Sequence, residues 1–244
     1  MRILRRSGGF TLVELLVALF AMAILAILSW RGLDGMTRAQ AQTQARADEV
    51  LALQVGLAQW SADLDALVQF PQTTALDWNG RVLRLTRHAG PGADSGARVV
   101  GWTRRIVNGQ GRWLRWQSQP LTTRAQLEQA WLTADAWSQN AVLDELRSEV
   151  AITPLLDWQI FYFRGDAWTN PQSSDATGVT GATPPPPGTP PPTSSPAAGR
   201  VNPGGRVSVL PDGVRLVLNL PPGQPISGLL TIDWVRPTVG GGKS

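Results

Sequence analysis

Between Phe10 and Trp30 the chain runs FTLVELLVALFAMAILAILSW, 21 residues interrupted by a single charge, Glu14. No other stretch restricts the possible folds as much. As a helix rising about 1.5 Å per residue it spans roughly 30 Å, the hydrocarbon thickness of a bilayer. Ahead of it stands MRILRRSGG, whose charged side chains are Arg2, Arg5 and Arg6. Arginines on one flank hold that flank in the cytoplasm, so the N-terminus is expected inside. Trp30 and Arg31 then suit the far interface, with the remaining chain beyond the cytoplasmic membrane. A cleaved secretory signal has a shorter apolar core followed by a small-x-small site, and neither fits here. A plain anchor fits the length but leaves Glu14 unexplained. A carboxylate inside an apolar helix costs about 2.5–3.5 kcal/mol on insertion scales, so a function and a partner are expected for it.

The rest of the chain narrows the chemistry by subtraction. There is no cysteine in 244 residues, which removes disulfides, thiolate metal sites, iron–sulfur clusters and cysteine nucleophiles. The single histidine, His88, lies in a Gly/Pro-rich stretch, so neither a Ser-His-Asp triad nor a multi-histidine zinc site is expected. No Asp-x-Asp-x-Asp-Gly loop is present to hold calcium. Asp63, Asp65 and the group Asp144, Glu145 and Glu149 are read as solvated helix faces. No cofactor, no metal and no enzymatic activity are expected, because no convergent acid/base set is visible. The net charge of +4 falls to +1 without the three leader arginines. The basic balance is therefore topological information, and no nucleic-acid partner is expected.

Helical periodicity continues past Trp30. No proline interrupts Arg31–Phe70, and Val50, Leu53, Leu57, Trp60, Leu64 and Leu67 recur at spacings of three and four, the pattern of one helix face. One helix from Phe10 to about Phe70 is expected, ended by Pro71. Gly32 and Gly35 mark a weak point between its halves. The face of Leu53, Leu57, Trp60, Leu64 and Leu67 is expected to pack on a globular domain. After Pro71 the pattern shortens to strands: 81–86, 98–107 and 112–117 around the turn signal Asn108-Gly109-Gln110-Gly111, then 158–163, 213–220 and 228–235. Residues 122–135 have weak helical character, and 141–150 fits a helix or a strand. A long helix followed by antiparallel strands is an α+β order. Six of the 11 tryptophans (Trp102, Trp113, Trp116, Trp158, Trp168 and Trp234) lie in or beside these strands, where large aromatics are core or contact residues. Residues 170–204 hold the runs Pro184–Pro187 and Pro190–Pro192, which cannot join a sheet and read as an exposed, disordered insertion.

The segment Gly9–Leu19, GFTLVELLVAL, resembles the class III signal of type IV pilins and type II secretion pseudopilins. That resemblance implies cleavage by a prepilin peptidase between Gly9 and Phe10, N-methylation of Phe10, and pairing of Glu14 with the N-terminal ammonium of a neighbouring subunit during assembly. Farther along, AQWSADLDAL (58–67), the hairpin 98–116, WQIFYFRGDAWTN (158–170), LPDGVRLVLNL (210–220) and GLLTIDWVRP (228–237) resemble pseudopilin J of type II secretion. The resemblance implies a pilin-like α+β fold with a leader at 1–9, a transmembrane helix at 10–30, a periplasmic helical continuation at 31–70 and a β-rich periplasmic domain at 71–244. It further implies a minor, non-enzymatic subunit at the tip of a short filament. Its partners would be pseudopilins I, K and H, an inner-membrane assembly platform and the bacterial inner membrane, and it would support protein export. A minor pilin of a type IV pilus or DNA-uptake system is an alternative, and a membrane-tethered periplasmic binding module is a second.

Overall fold

The computed structural model describes residues 10–90, 96–174 and 210–237. The leader 1–9, with Gly9, and the insertion beyond Ser174 lie outside them. Helix α1 spans Leu12–Asp65 and runs through Gly32 and Gly35 without a break. Residues up to Glu49 form one unit and Val50 onward a second. In the first, the apolar side chains from Leu12 to Leu28 are exposed, and this part of the helix is long and apolar enough to cross a membrane.

The second unit contains two antiparallel sheets. β1 (Leu76–Trp78), β2 (Val82–His88), β3 (Ala97–Val107), β4 (Gln110–Gln117) and β5 (Glu149–Pro154) form a five-stranded sheet in chain order. Helices α2 (Arg124–Gln139) and α3 (Leu143–Leu146) come between β4 and β5. β6 (Asp157–Arg164), β7 (Ala167–Thr169), β8 (Gly213–Leu220) and β9 (Gly228–Val235) form a four-stranded sheet in the order β7-β6-β8-β9. The helical turn α4 (Pro171–Ser174) follows β7. A long N-terminal helix with antiparallel sheets is an α+β arrangement, as the sequence pattern predicts, and a pilin-like one, as the resemblance implies.

Alternation along each strand builds the core. The large cluster joins the end of α1 (Leu53, Trp60, Leu64) to Leu83, Val100, Trp102 and Trp113 of the first sheet and Ile160, Leu216, Leu218 and Trp234 of the second. The opposite face of the first sheet packs Val82, Val99, Leu114 and Trp116 against Leu127, Ala134 and Trp137 of α2. Thr123 caps α2 in a reciprocal box with Gln126, satisfying donors that the first turn leaves open. Three tryptophans sit together in the large cluster: Trp60, Trp102 and Trp113 form one contact group, with ring centroids 5.3, 6.1 and 4.6 Å apart. Asn108 and Gly109 adopt φ of 52° and 78° between β3 and β4, the left-handed pair that a two-residue hairpin demands.

Three local outcomes differ from the sequence pattern. α1 ends at Asp65 rather than near Phe70, because the next residues pair with β2. The Val68 N–H donates to Thr86 O at 3.0 Å, and the His88 N–H donates to Ala66 O at 3.0 Å. Segment 141–150 is neither all helix nor all strand; α3 covers its middle and β5 begins at Glu149. The three-residue strands β1 and β7 are too short to leave a period.

Gly56 shows how closely the helix meets the sheet. A Cβ there would collide with the Ile152 side chain and lie 3.4 Å from the Trp113 ring. Gly→Ala in a helix ordinarily stabilises by about 1 kcal/mol, whereas overpacking costs about 1–3 kcal/mol. Gly56→Ala is therefore expected to lower the urea midpoint, and a raised midpoint would show that the helix can shift away from β5.

Candidate functional site

The N-terminal site starts from a helix cap. Thr11 precedes the helix, and its Oγ1 accepts a hydrogen bond from the Glu14 N–H at 3.3 Å. Thr11 O also accepts from Glu14 and Leu15 at 3.1 and 3.2 Å. Phe10 therefore stays outside the helix and is 81% exposed. Glu14 falls in the first turn, where the helix dipole favours a negative charge. The arrangement presents an aromatic residue, a capped helix start and one exposed carboxylate at the head of an otherwise apolar helix. Thr11-x-x-Glu14 is itself a helix-start signature, the signal in the sequence that marks this cap. A chain cut after Gly9 would carry its new ammonium on Phe10, just ahead of this capped helix start.

The second cluster lies where α1 ends, and it overturns the expectation of a solvated face. Asp63 is fully buried. Arg115 of β4 donates to it through Nε and Nη2 at 2.8 and 2.9 Å. Arg87 of β2 donates at 2.5 Å, Trp102 Nε1 of β3 at 3.0 Å and Gln59 Nε2 at 2.8 Å. One helical carboxylate thus ties α1 to three strands. Two residues on, Asp65 stays exposed, as expected, and accepts from Trp234 Nε1 of β9 at 2.8 Å, joining the same turn to the second sheet. The physical reason is position: residue 63 lies three after Trp60 and four before Leu67, on the apolar stripe itself, so burial was forced and a cationic partner with it. Glu149 is likewise not solvated; Arg105 Nη2 and Trp137 Nε1 donate to it at 2.5 and 2.6 Å. Asp144 remains exposed and Glu145 half-buried.

Of the anticipated packing residues, Leu53, Trp60 and Leu64 are buried, and Leu57 and Leu67 are partly buried against the same cluster. Phe10 and Glu14 stand together at the other end of the helix, and Gly9 is outside the described residues. Among the described residues no group of three or more His, Cys, Asp or Glu is placed to hold a metal ion.

One exposed pair responds to acid. Arg215 donates to both oxygens of Asp233 at 2.7 Å, and its hydrogen bond holds the Asp233 carboxyl below the usual carboxylate range. A depressed folded-state pKa gives stability that is complete above the unfolded value and is lost as pH falls through the folded one. Asp233→Asn is thus expected to flatten part of the acid limb of the stability profile below about pH 4. An unchanged slope would show that the pair contributes nothing to it.

Residues 4–30 match the family model of the prokaryotic N-terminal methylation motif. This stretch contains the helix start just described. The chain is also similar to type II secretion system protein J of Klebsiella pneumoniae, at 37% identity over 65 residues. That match covers 27% of this chain and spans about a third of the relative's length, 33%. On its methylation motif, the long helix that bears it, the antiparallel sheets behind and this partial match, the chain resembles the J-type pseudopilins of type II secretion systems.

Proposed function

We propose that this chain is a minor pseudopilin, a structural and non-catalytic subunit at the tip of a periplasmic filament that serves protein export across the outer membrane. The observation that carries the reading is the coincidence of the methylation motif at residues 4–30 with a capped helix whose first turn holds Glu14. In this reading a prepilin peptidase cuts between Gly9 and Phe10, and Phe10 is N-methylated. The helix from Leu12 anchors the subunit in the inner membrane, with the C-terminal domain in the periplasm. The subunit would join pseudopilins I, K and H on an inner-membrane assembly platform. A buried ammonium and a buried carboxylate are each costly alone and largely compensate when paired. Subunits would then leave the bilayer more readily with a partner than singly.

Mass spectrometry of the protein purified from membranes tests the reading. The expected mature chain begins at Phe10 and is one methyl group heavier than its sequence. A chain that keeps Met1, or one cut beyond Trp30, overturns it. Co-purification with pseudopilins I and K tests the place at the tip, and consistent failure of that complex to form removes the assignment to the J position.

A further inference from the structure

Four strands stand at the ends of the two sheets, and three of them are blunted. β1 and β7 have three residues each. β5 carries a register shift opposite Trp113/Leu114 and ends in Pro154. Short strands, bulges and prolines are the usual protections against strand addition. β9 has none of them: it has eight residues without proline and pairs with β8 in unbroken register from Gly228 to Val235. Its one charge, Asp233, is already matched by Arg215.

The direction of its free backbone groups follows from one hydrogen bond. The Arg236 N–H donates to Asp212 O at 2.8 Å, in register with the β8–β9 ladder. Bonds to β8 then alternate with residue number. Residues 230, 232 and 234 face β8, and the N–H and C=O groups of Leu229, Thr231, Asp233 and Val235 face the open edge. Among the described residues no strand pairs there. The core is also unfinished along this edge. Leu216 and Leu218 of β8 are fully buried, whereas Leu230 and Ile232 beside them on β9 are only partly so. On the outer face Leu229 and Val235 are 76% and 71% exposed.

We infer that the free edge of β9 receives an extended strand from a different polypeptide, uncharged, free of proline and apolar at every second residue. Main-chain bonds to the four outward residues would hold it, and its apolar side chains would close over Leu230 and Ile232. Neutrality of the edge selects the strand's chemistry, since a charge beside the core would be left unpaired. A second copy does not fit this description, because its own β9 carries the charge of Asp233. The inference is independent of filament membership.

The absence of cysteine makes the test direct. Leu229→Cys in the full chain is labelled with a maleimide-benzophenone and irradiated in membranes of the native cells. Ala167→Cys on β7 serves as control. The expected product joins the thiol introduced at position 229 to a segment of another protein with the stated pattern, identified by peptide mass spectrometry. Adding Thr231→Pro removes an outward N–H and no bond to β8, and is expected to cut the product at least about tenfold with the unfolding midpoint unchanged. Val235→Lys is expected to do the same by placing a charge at the edge. Absence of the product, equal yield from Ala167→Cys, persistence with Thr231→Pro, or linkage to the chain itself, to a second copy or to a charged segment would each overturn the inference.

Discussion

Asp63→Ala is expected to lower the stability of the domain by about 3–5 kcal/mol, the cost of breaking a buried ion pair by removing one partner. Two guanidinium groups converge on this carboxylate, with Arg115 and Arg87 side chains only 10% and 20% exposed. The substitution leaves both without their counter-charge and leaves the Trp102 N–H without its acceptor. Domains of this kind have roughly 5–15 kcal/mol in total, so the variant should be near the limit of folding. Asp63→Asn keeps the shape and an acceptor for Trp102, and should fall between the wild type and Asp63→Ala. Arg87→Ala should cost less than either, because Arg115 still pairs bidentately with the carboxylate. Urea unfolding followed by tryptophan emission reports directly, since Trp102 donates to Asp63 and its ring meets those of Trp60 and Trp113. A loss below about 1 kcal/mol for Asp63→Ala would show that the cluster behaves like a surface pair.

The second large effect concerns Glu14. Glu14→Ala is expected to leave membrane insertion intact or slightly improved, because an unfavourable charge leaves the apolar helix. Cleavage at Gly9–Phe10 should continue. Assembly should fail. If Glu14 compensates a neighbouring ammonium in an apolar setting, its loss costs about 3–5 kcal/mol, or at least a hundredfold in incorporation at about 1.4 kcal/mol per tenfold. Quantitative immunoblotting of sheared filaments and of exported protein, beside the mass of the processed chain, separates the steps. Wild-type incorporation by Glu14→Ala would sink the assembly role while leaving the processing reading intact. It would favour a membrane-tethered binding module, which needs the anchor but not the carboxylate.

The sequence was informative where one local rule acts alone. The apolar run of 10–30 was legible as a length able to cross a membrane, and it lies in a helix of that length and hydropathy. The hairpin at Asn108-Gly109 was legible because its backbone requires left-handed residues. β8 and β9 carry clear strand patterns, and the structure places them at 213–220 and 228–235. The end of α1 was not legible in the same way. Pro71 marked a stop in sequence, but backbone pairing of Leu67 with Arg87 ends the helix earlier.

The same division runs through the chemistry. The sequence by itself determined an apolar run long enough to cross a membrane, the position of Glu14 one turn into the helix, the α+β order and the absence of cysteine chemistry, because each depends on the residues themselves or their neighbours along the chain. Only the tertiary structure decided the role of Asp63, whose partners Arg87, Trp102 and Arg115 lie 24, 39 and 52 residues away. Among the described residues it likewise decided that β9, and not β1, β5 or β7, presents an unprotected edge. A carboxylate on a helix looks the same in sequence whether water or guanidinium groups surround it. The difference is set by which strands the core brings beneath that turn.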